Sequence, residues 1–186
     1  MVDPSRYYDL EGYLLGEVRA RFHAQGFLSA FDFFSIVIWK ANRAKSHIAR
    51  RLRKVDQLGR VDLEAIVRDL TSSLASATDE RSRMRLLMAE WGFGLPMATA
   101  ILAMLWPDDF TVYDVRVCEQ LNAFDELANR TRFDLVWDGY VKYREAVRLA
   151  APNARSLRDK DRYLWARSAA AQLERDIADG FAKGSA

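Results

Sequence analysis

The segment 84–121 contains most of the residues that could bind an anionic partner and carry out chemistry on it. Gly92 and Gly94 lie two positions apart, and glycine adopts positive φ values and leaves the backbone open to close approach. Pro96 suits the first turn of a helix, where its missing N–H is not needed. The free N–H groups at a helix start attract anions. We therefore predict that the backbone around Gly92, Gly94 and Met97 holds a phosphate; the alternative is a plain tight turn between packed helices.

A carboxylate, Asp114, ends the extended segment 110–113 and begins the next helix. An acid at this position caps a helix by accepting backbone N–H bonds, which stabilises the fold by about 1 kcal/mol. If the carboxylate stays accessible, it can also stabilise positive charge in a transition state and orient or deprotonate a water molecule. From the residues alone, both roles stay open for Asp114.

Two stretches at this spacing resemble the helix-hairpin-helix DNA glycosylase superfamily, which includes endonuclease III and the MutY-like and AlkA-like enzymes. Trp91–Ala98 resembles the hairpin, an apolar helix follows, and Phe110–Val117 resembles the extended segment that delivers the catalytic aspartate. The resemblance implies an all-α fold with two helical lobes flanking a cleft. It also implies a DNA-binding hydrolase that cleaves the N-glycosidic bond of a damaged or unusual base, as in DNA repair, with Asp114 stabilising the sugar cation and orienting water.

Two departures from the family pattern refine the predicted chemistry. Pro96 occupies the position at which bifunctional members carry the lysine that forms a Schiff base, so we expect a monofunctional enzyme without lyase activity. Cys118 is the only cysteine, so the iron–sulfur cluster of many members has no ligand set here. His23 and His47 have no partners at metal-ligand spacing. We therefore predict neither a cofactor nor a metal.

Residues 40–54 contain seven basic side chains and no acidic one. Such a run is usually a solvated helix face, but charge of one sign also suits contacts with phosphates. Arg116, two residues after Asp114, is also placed to contact a phosphate; the alternative for Arg116 is an ion pair with Asp109. The net charge is only +2, so a nucleic-acid site must be a local patch. The predicted side-chain contacts with the DNA backbone are Lys40, Arg43, Lys45 and Arg116.

An extruded base needs aromatic or apolar faces around it. Trp39, Trp91 and Tyr113 are the aromatic residues nearest to the motifs, and we predict that they line a base pocket; packing in the core is the alternative for each. Trp137 and Trp165 lie on strongly patterned helices, and we predict that they belong to the core or to the interface between lobes.

Apolar residues at helical spacing predict about nine helices and no strand in a single all-α domain. One lobe is predicted to contain residues from about 1–58 and 132–186, and the other about 60–125, including the helix-hairpin-helix 84–106. Helix starts are predicted at Asp62 and Asp79, and capping boxes at 131–134 and 156–159. Residues 72–78 are predicted to be a connector, and 122–131 a loop or short turn.

The composition allows one compact domain, or two small lobes that share a cleft, because half of the 186 residues are hydrophobic. A single cysteine fits a reducing cytosol, and the sequence has neither a signal-peptide pattern nor an apolar run of membrane-spanning length. We therefore predict a cytoplasmic monomer. Two functions without catalysis remain as alternatives: a helix-hairpin-helix module that only binds DNA, and a helical interaction protein.

Overall fold

The computed structural model describes residues 4–151, 153–154 and 156–181, and all regular structure in these residues is helical. The all-α prediction is therefore confirmed. In the described residues the α-helices are α1 Leu10–Tyr13, α2 Arg19–Gln25, α3 Ala30–Ala41, α4 Lys45–Val55, α5 Leu63–Ser76, α6 Glu80–Arg85, α7 Leu95–Leu105, α8 Val115–Leu121, α9 Phe133–Ala150 and α10 Leu157–Ala178. The segments Pro4–Asp9, Asn42–Ala44 and Asp125–Asn129 are 3₁₀ turns, and Leu14–Val18 and Leu86–Glu90 are π-helical.

The N-terminal helices α1 and α2 are joined by the π segment Leu14–Val18 into one helical stretch. Its buried face contains Leu14, Val18 and Phe22, which recur every four residues. Gly26 ends the stretch with φ 77°, and its N–H donates to the Phe22 carbonyl at 2.8 Å. A positive φ is costly for residues with a Cβ, so glycine suits this position.

Helix α7 forms the centre of the core, because ten of its eleven residues are buried. A helix that is apolar on all sides gains most when neighbours surround it. Helix α3 packs along α7, and α2 and α6 also contact it. Pro96 lies in its first turn, as the sequence predicted.

The ends of the helices match several of the predicted capping residues. Asp62 accepts the Glu64 N–H, and Asp79 accepts the Ser82 N–H. Ser156 and Asp159 form the predicted capping box at the start of α10. The capping box predicted at 131–134 is wrong, since α9 begins after Arg132 without a side-chain cap.

One predicted boundary differs from the structure. Helix α5 continues to Ser76 through residues predicted to be a connector, because Leu74 is fully buried and extends the apolar face of the helix. Burial of this leucine outweighs the polar composition around it. The region 122–131, predicted to be a loop or short turn, contains the 3₁₀ turn Asp125–Asn129, whose Leu127 is buried.

The helices share one hydrophobic core. Helix α3 packs on α5 as well as on α7, α4 packs on α5, and α8 and α9 both pack on α10. Within the described part of the chain, no helix is long and apolar enough to cross a membrane.

Candidate active site

The extended segment that leads to Asp114 is held by side chains instead of by a neighbouring strand. The Thr111 N–H donates to the Tyr140 hydroxyl oxygen at 3.0 Å, and that hydroxyl donates to the Thr111 carbonyl at 2.8 Å. The Tyr143 hydroxyl donates to the Val112 carbonyl at 2.8 Å. Buried backbone groups need partners, and the two tyrosines of α9 supply them.

Two further side chains complete this support. The Val112 N–H donates to Asp161 Oδ2 at 3.1 Å, and the Tyr113 N–H donates to Thr99 Oγ1 at 2.9 Å. Thr99 and Asp161 are both buried. The segment therefore has little freedom, and it fixes the position at which the next residue, Asp114, leaves the core.

Asp161 is held between the extended segment and Arg158. Its Oδ2 also accepts the Thr111 hydroxyl at 3.0 Å, and its Oδ1 pairs with the Arg158 guanidinium. Burial raises the pKa of Asp161 to about 6, and the charge of Arg158 acts in the opposite direction. Arg158 in turn pairs with Glu11 of α1 at 2.6 Å. This network joins α10, α1 and the segment before Asp114.

Asp114 is the N-cap of α8 and also half of an ion pair. Its Oδ1 accepts the Arg116 N–H at 3.1 Å. Its Oδ2 accepts a hydrogen bond of 2.6 Å from Lys40 Nζ, at the end of α3. The side chains of Lys40 and Asp114 keep 15% and 20% of their exposure. The carboxylate is therefore not sealed in the core, and an amine lies against it.

The pair opens onto a cavity of about 520 Å³. Two indole rings take part in its wall, those of Trp39 and Trp165. The Arg158 guanidinium lies 5.0 Å from the centre of the Trp39 ring, and the Arg116 guanidinium lies 5.7 Å from that of Trp165. The wall thus offers aromatic surface together with charge, as a pocket for a planar polar ring requires. The lining residues are Glu11, Trp39, Lys40, Val112, Asp114, Val117, Arg158, Asp161, Arg162, Trp165 and Ala166.

Of the three aromatic residues predicted to line a base pocket, only Trp39 lies at the cavity. Trp39 belongs to the cavity wall, whereas Trp91 is half-buried and packs against the hydrophobic core. Tyr113 is also a core residue, since its hydroxyl donates to the Phe124 carbonyl at 2.6 Å and burial raises its pKa. Trp165, predicted to be a core or interface residue, is 46% exposed and lines the cavity. Trp137 packs against the core.

The glycine hairpin faces α4. Gly92 has φ 66°, and its carbonyl accepts a hydrogen bond from the Arg51 guanidinium. Gly94 is exposed and extended, with φ −69° and ψ 154°, and it is the N-cap of α7. The Met97 N–H donates to the Gly94 carbonyl at 3.1 Å. The Met97 N–H is therefore already used within the first turn of α7.

Helix α4 presents a cationic face within the basic run 40–54, for which the sequence suggested either phosphate contacts or a solvated helix face. His47, Arg50, Arg51 and Lys54 surround a concavity of about 410 Å³, together with Val55. Their spacing of three and four residues places them on one side of the helix. Arg51 is part of this face and also contacts Gly92, so the cationic face of α4 adjoins the hairpin.

The four predicted lysine and arginine contacts with a DNA backbone have different surroundings. Lys40 belongs to the cavity, because it pairs with Asp114. Lys45 donates to Asn42 Oδ1 at 2.8 Å, and Arg43 is exposed in the turn before α4. Arg116 lies over the ring of Trp165, which lines the cavity. The predicted cationic set is therefore split between the cavity and the surface of α4.

Sequence reasoning missed Tyr140, Tyr143, Thr99 and Asp161, which fix the extended segment. A signal was present for Thr99, a hydroxyl within an otherwise apolar helix. Asp161 and the tyrosines show no such pattern, because the backbone groups of 111–112 that they bond are distant in sequence.

In the described ranges there is no group of three or more histidine, cysteine or acidic side chains arranged to hold a metal ion. Comparisons of the chain with protein-family models, with curated proteins and with solved structures find no match in any of the three.

Proposed function

We propose that this chain is a DNA N-glycosylase that hydrolyses the bond between a damaged or unusual base and its sugar. The observation that carries the proposal is the position of Asp114. Its carboxylate follows the hairpin and the apolar helix α7, keeps 20% exposure, and faces a cavity large enough for a base. Indole rings on the wall of that cavity suit a flipped base.

In this proposal Asp114 stabilises the positive charge that develops on the sugar as the base departs. A carboxylate in a partly desolvated site does this more strongly than one in bulk water. The same group orients the water that adds to the sugar carbon. The tyrosines and Asp161 hold the preceding backbone, so the carboxylate needs little rearrangement before the reaction.

Two neighbouring features support contact with a DNA backbone. The hairpin exposes Gly94 at the start of α7, where the helix dipole favours an anion. The cationic face of α4 adjoins the hairpin through Arg51. Contacts of this kind bind phosphates without reading sequence. Specificity would then come from the cavity, and the affinity would fall as salt rises.

The test is release of free base from duplex oligonucleotides that each carry one lesion. The panel covers uracil, hypoxanthine, 8-oxoguanine and 7-methylguanine, with an undamaged duplex as control. We expect release from at least one lesion and none from the control. The absence of release across a broad lesion panel, at protein concentrations that saturate DNA binding, would contradict the proposal.

A second candidate function is a DNA-binding module without catalysis. One observation favours it: both oxygens of Asp114 already have partners, the Arg116 N–H and Lys40. A carboxylate that caps a helix and forms an ion pair stabilises the fold even when it takes part in no reaction. This candidate predicts salt-dependent binding to duplex DNA with no base released from any lesion. Loss of binding in Gly94→Glu would support hairpin contact under either function.

A further inference from the structure

The ion pair between Lys40 and Asp114 creates an electrostatic problem for the proposed reaction. With Lys40 Nζ at 2.6 Å from Asp114 Oδ2, the pair has no net charge when Lys40 is protonated. A sugar that becomes positive beside it meets an ammonium as well as a carboxylate. The repulsion from the ammonium cancels much of the attraction that Asp114 would otherwise supply. Asp114 therefore acts at full strength only if Lys40 loses its proton.

The departing base needs a proton at the same moment. When the bond to the sugar breaks, its electron pair stays on the base nitrogen, and a neutral base without a proton donor leaves as an anion. Lys40 directly follows Trp39, and both side chains line the cavity in which the base would stack. An ammonium in this wall is positioned to donate to a base held there.

We propose that Lys40 is the general acid of the reaction, and that its proton transfer exposes the charge of Asp114. As the bond between sugar carbon and base nitrogen breaks, the proton of the Lys40 ammonium passes to the base. The amine is then neutral, and Asp114 becomes an unpaired carboxylate beside the sugar cation. A water oxygen then bonds to the sugar carbon, and its proton returns to the Lys40 amine directly or through Asp114.

This proposal rests on the proposed glycosylase function and deepens it. It also gives Lys40 a role different from the backbone contact predicted from the sequence, and different from a lysine that bonds to the sugar. The two lysine chemistries are separable, because an amine that attacks the sugar forms an imine that borohydride traps. A general acid forms no such adduct.

The experiment compares two bases that differ in their need for a proton. Hypoxanthine leaves well only if it is protonated, whereas 7-methylguanine already carries a positive charge and leaves as a neutral base. Single-turnover release is measured for the wild type, Lys40→Met and Lys40→Arg. Arginine keeps the positive charge but does not give up its proton. Lys142→Met, which removes an exposed lysine of α9, is the matched control, and thermal melting verifies folding.

We expect Lys40→Met and Lys40→Arg to slow release of hypoxanthine by about 10²–10⁴-fold, the usual contribution of a general acid. Release of 7-methylguanine needs no proton, and Lys40→Arg keeps the positive charge beside Asp114, so this variant should change release of that base by less than about tenfold. Lys40→Met leaves Asp114 unpaired from the start, so its release of 7-methylguanine should be unchanged or faster. Equal losses on the two bases, or full activity in Lys40→Arg, would overturn the assignment of Lys40. A borohydride adduct with abasic DNA that disappears in Lys40→Met would do the same.

The experiment also distinguishes failure of this inference from failure of the proposed function. If the wild type releases base and Asp114→Asn does not, while Lys40→Met loses the same factor on both bases, only the role of Lys40 is wrong. A wild type that releases 7-methylguanine alone needs no general acid and overturns the inference as well. If the wild type releases neither of the two bases nor any other base of the panel, both proposals fail together.

Discussion

The segment before Asp114 and the glycine hairpin are both irregular connections, yet they are stabilised in opposite ways. Residues 110–113 are buried, and side chains of α7, α9 and α10 bond their backbone groups. The hairpin bonds to Arg51 but leaves Gly94 exposed. The first segment gives a fixed position to one side chain, whereas the second gives a partner access to the backbone. The proposed function would use both, because chemistry on a bound polymer requires fixed groups and the binding requires open surface.

The largest expected effect comes from removing the buried acid that holds the first segment. Asp161→Ala leaves Arg158 without one of its partners and leaves the Val112 N–H without its acceptor. Breaking a buried ion pair of this kind costs about 3–5 kcal/mol. Chemical denaturation measures the loss. Asp138→Ala, at an exposed position of α9, is the control and should change the free energy of unfolding by less than about 0.5 kcal/mol.

A smaller loss is expected for Tyr140→Phe, which removes only the hydroxyl that bonds Thr111. The Thr111 N–H and carbonyl then lose a buried partner, at a cost of about 1–3 kcal/mol. Tyr163→Phe, at a residue that is 54% exposed, is the matched control. If the two variants unfold at the same denaturant concentration, the extended segment is not held by Tyr140.

The Tyr140 hydroxyl should also make the stability of the wild type depend on pH. Burial raises the pKa of Tyr140 above its ordinary value of 10. A group whose pKa is raised by folding contributes stability below its unfolded pKa, and that contribution is lost as pH rises towards the folded pKa. The wild type should therefore lose stability above about pH 10 more steeply than Tyr140→Phe, an expectation that follows from this linkage. Denaturation curves between pH 8 and pH 11 test the sign, and parallel losses would contradict it.

In the hairpin, the two glycines should respond differently to alanine. At Gly92, φ is 66° and a Cβ would lie 2.7 Å from Arg51 Nη1, so Gly92→Ala should destabilise by about 1–2 kcal/mol. At Gly94 the nearest side-chain atom would be 3.9 Å away and the backbone is extended. Gly94→Ala should therefore be neutral or stabilising by at most about 1 kcal/mol. The midpoints of thermal unfolding measure both, and equal losses would refute the distinction.

The smallest effect concerns binding and not stability. Arg50→Ala and Lys54→Ala remove charges from the cationic face of α4. If each contacts one phosphate, the slope of log affinity against log salt should fall by about 0.9 per variant. Lys142→Ala, on α9, should leave the slope unchanged. Titrations with a labelled duplex at several salt concentrations provide the measurement. Unchanged slopes in both α4 variants would show that this face takes no part in the proposed DNA binding.

The sequence predicted the local features well, because they depend on neighbouring residues. The all-α class, the helix starts at Asp62 and Asp79 and the first-turn Pro96 all follow from propensity and capping. Asp114 was also correctly placed at a helix start. Each of these predictions needs only a few consecutive residues.

The parts that could not be predicted depend on contacts between distant residues. The pairing of Lys40 with Asp114 spans 74 positions, and the bond from Val112 to Asp161 spans 49. Periodicity shows which face of a helix is buried, but it does not show which polar group meets which. For the same reason the helical pattern assigned Trp165 only to the core or to an interface between lobes, and it did not show that the indole ring lines a cavity with Asp114.

The most direct test of the account is the single-turnover rate of base release by Asp114→Asn. Asparagine is as good an N-cap as aspartate, so the start of α8 and its bond to the Arg116 N–H are retained while the negative charge is removed. On the lesion that the wild type releases fastest, we expect a rate at least about a hundredfold lower, while the melting temperature falls only by the cost of the lost ion pair with Lys40. A variant that folds and still releases base at the wild-type rate would contradict the catalytic role of Asp114.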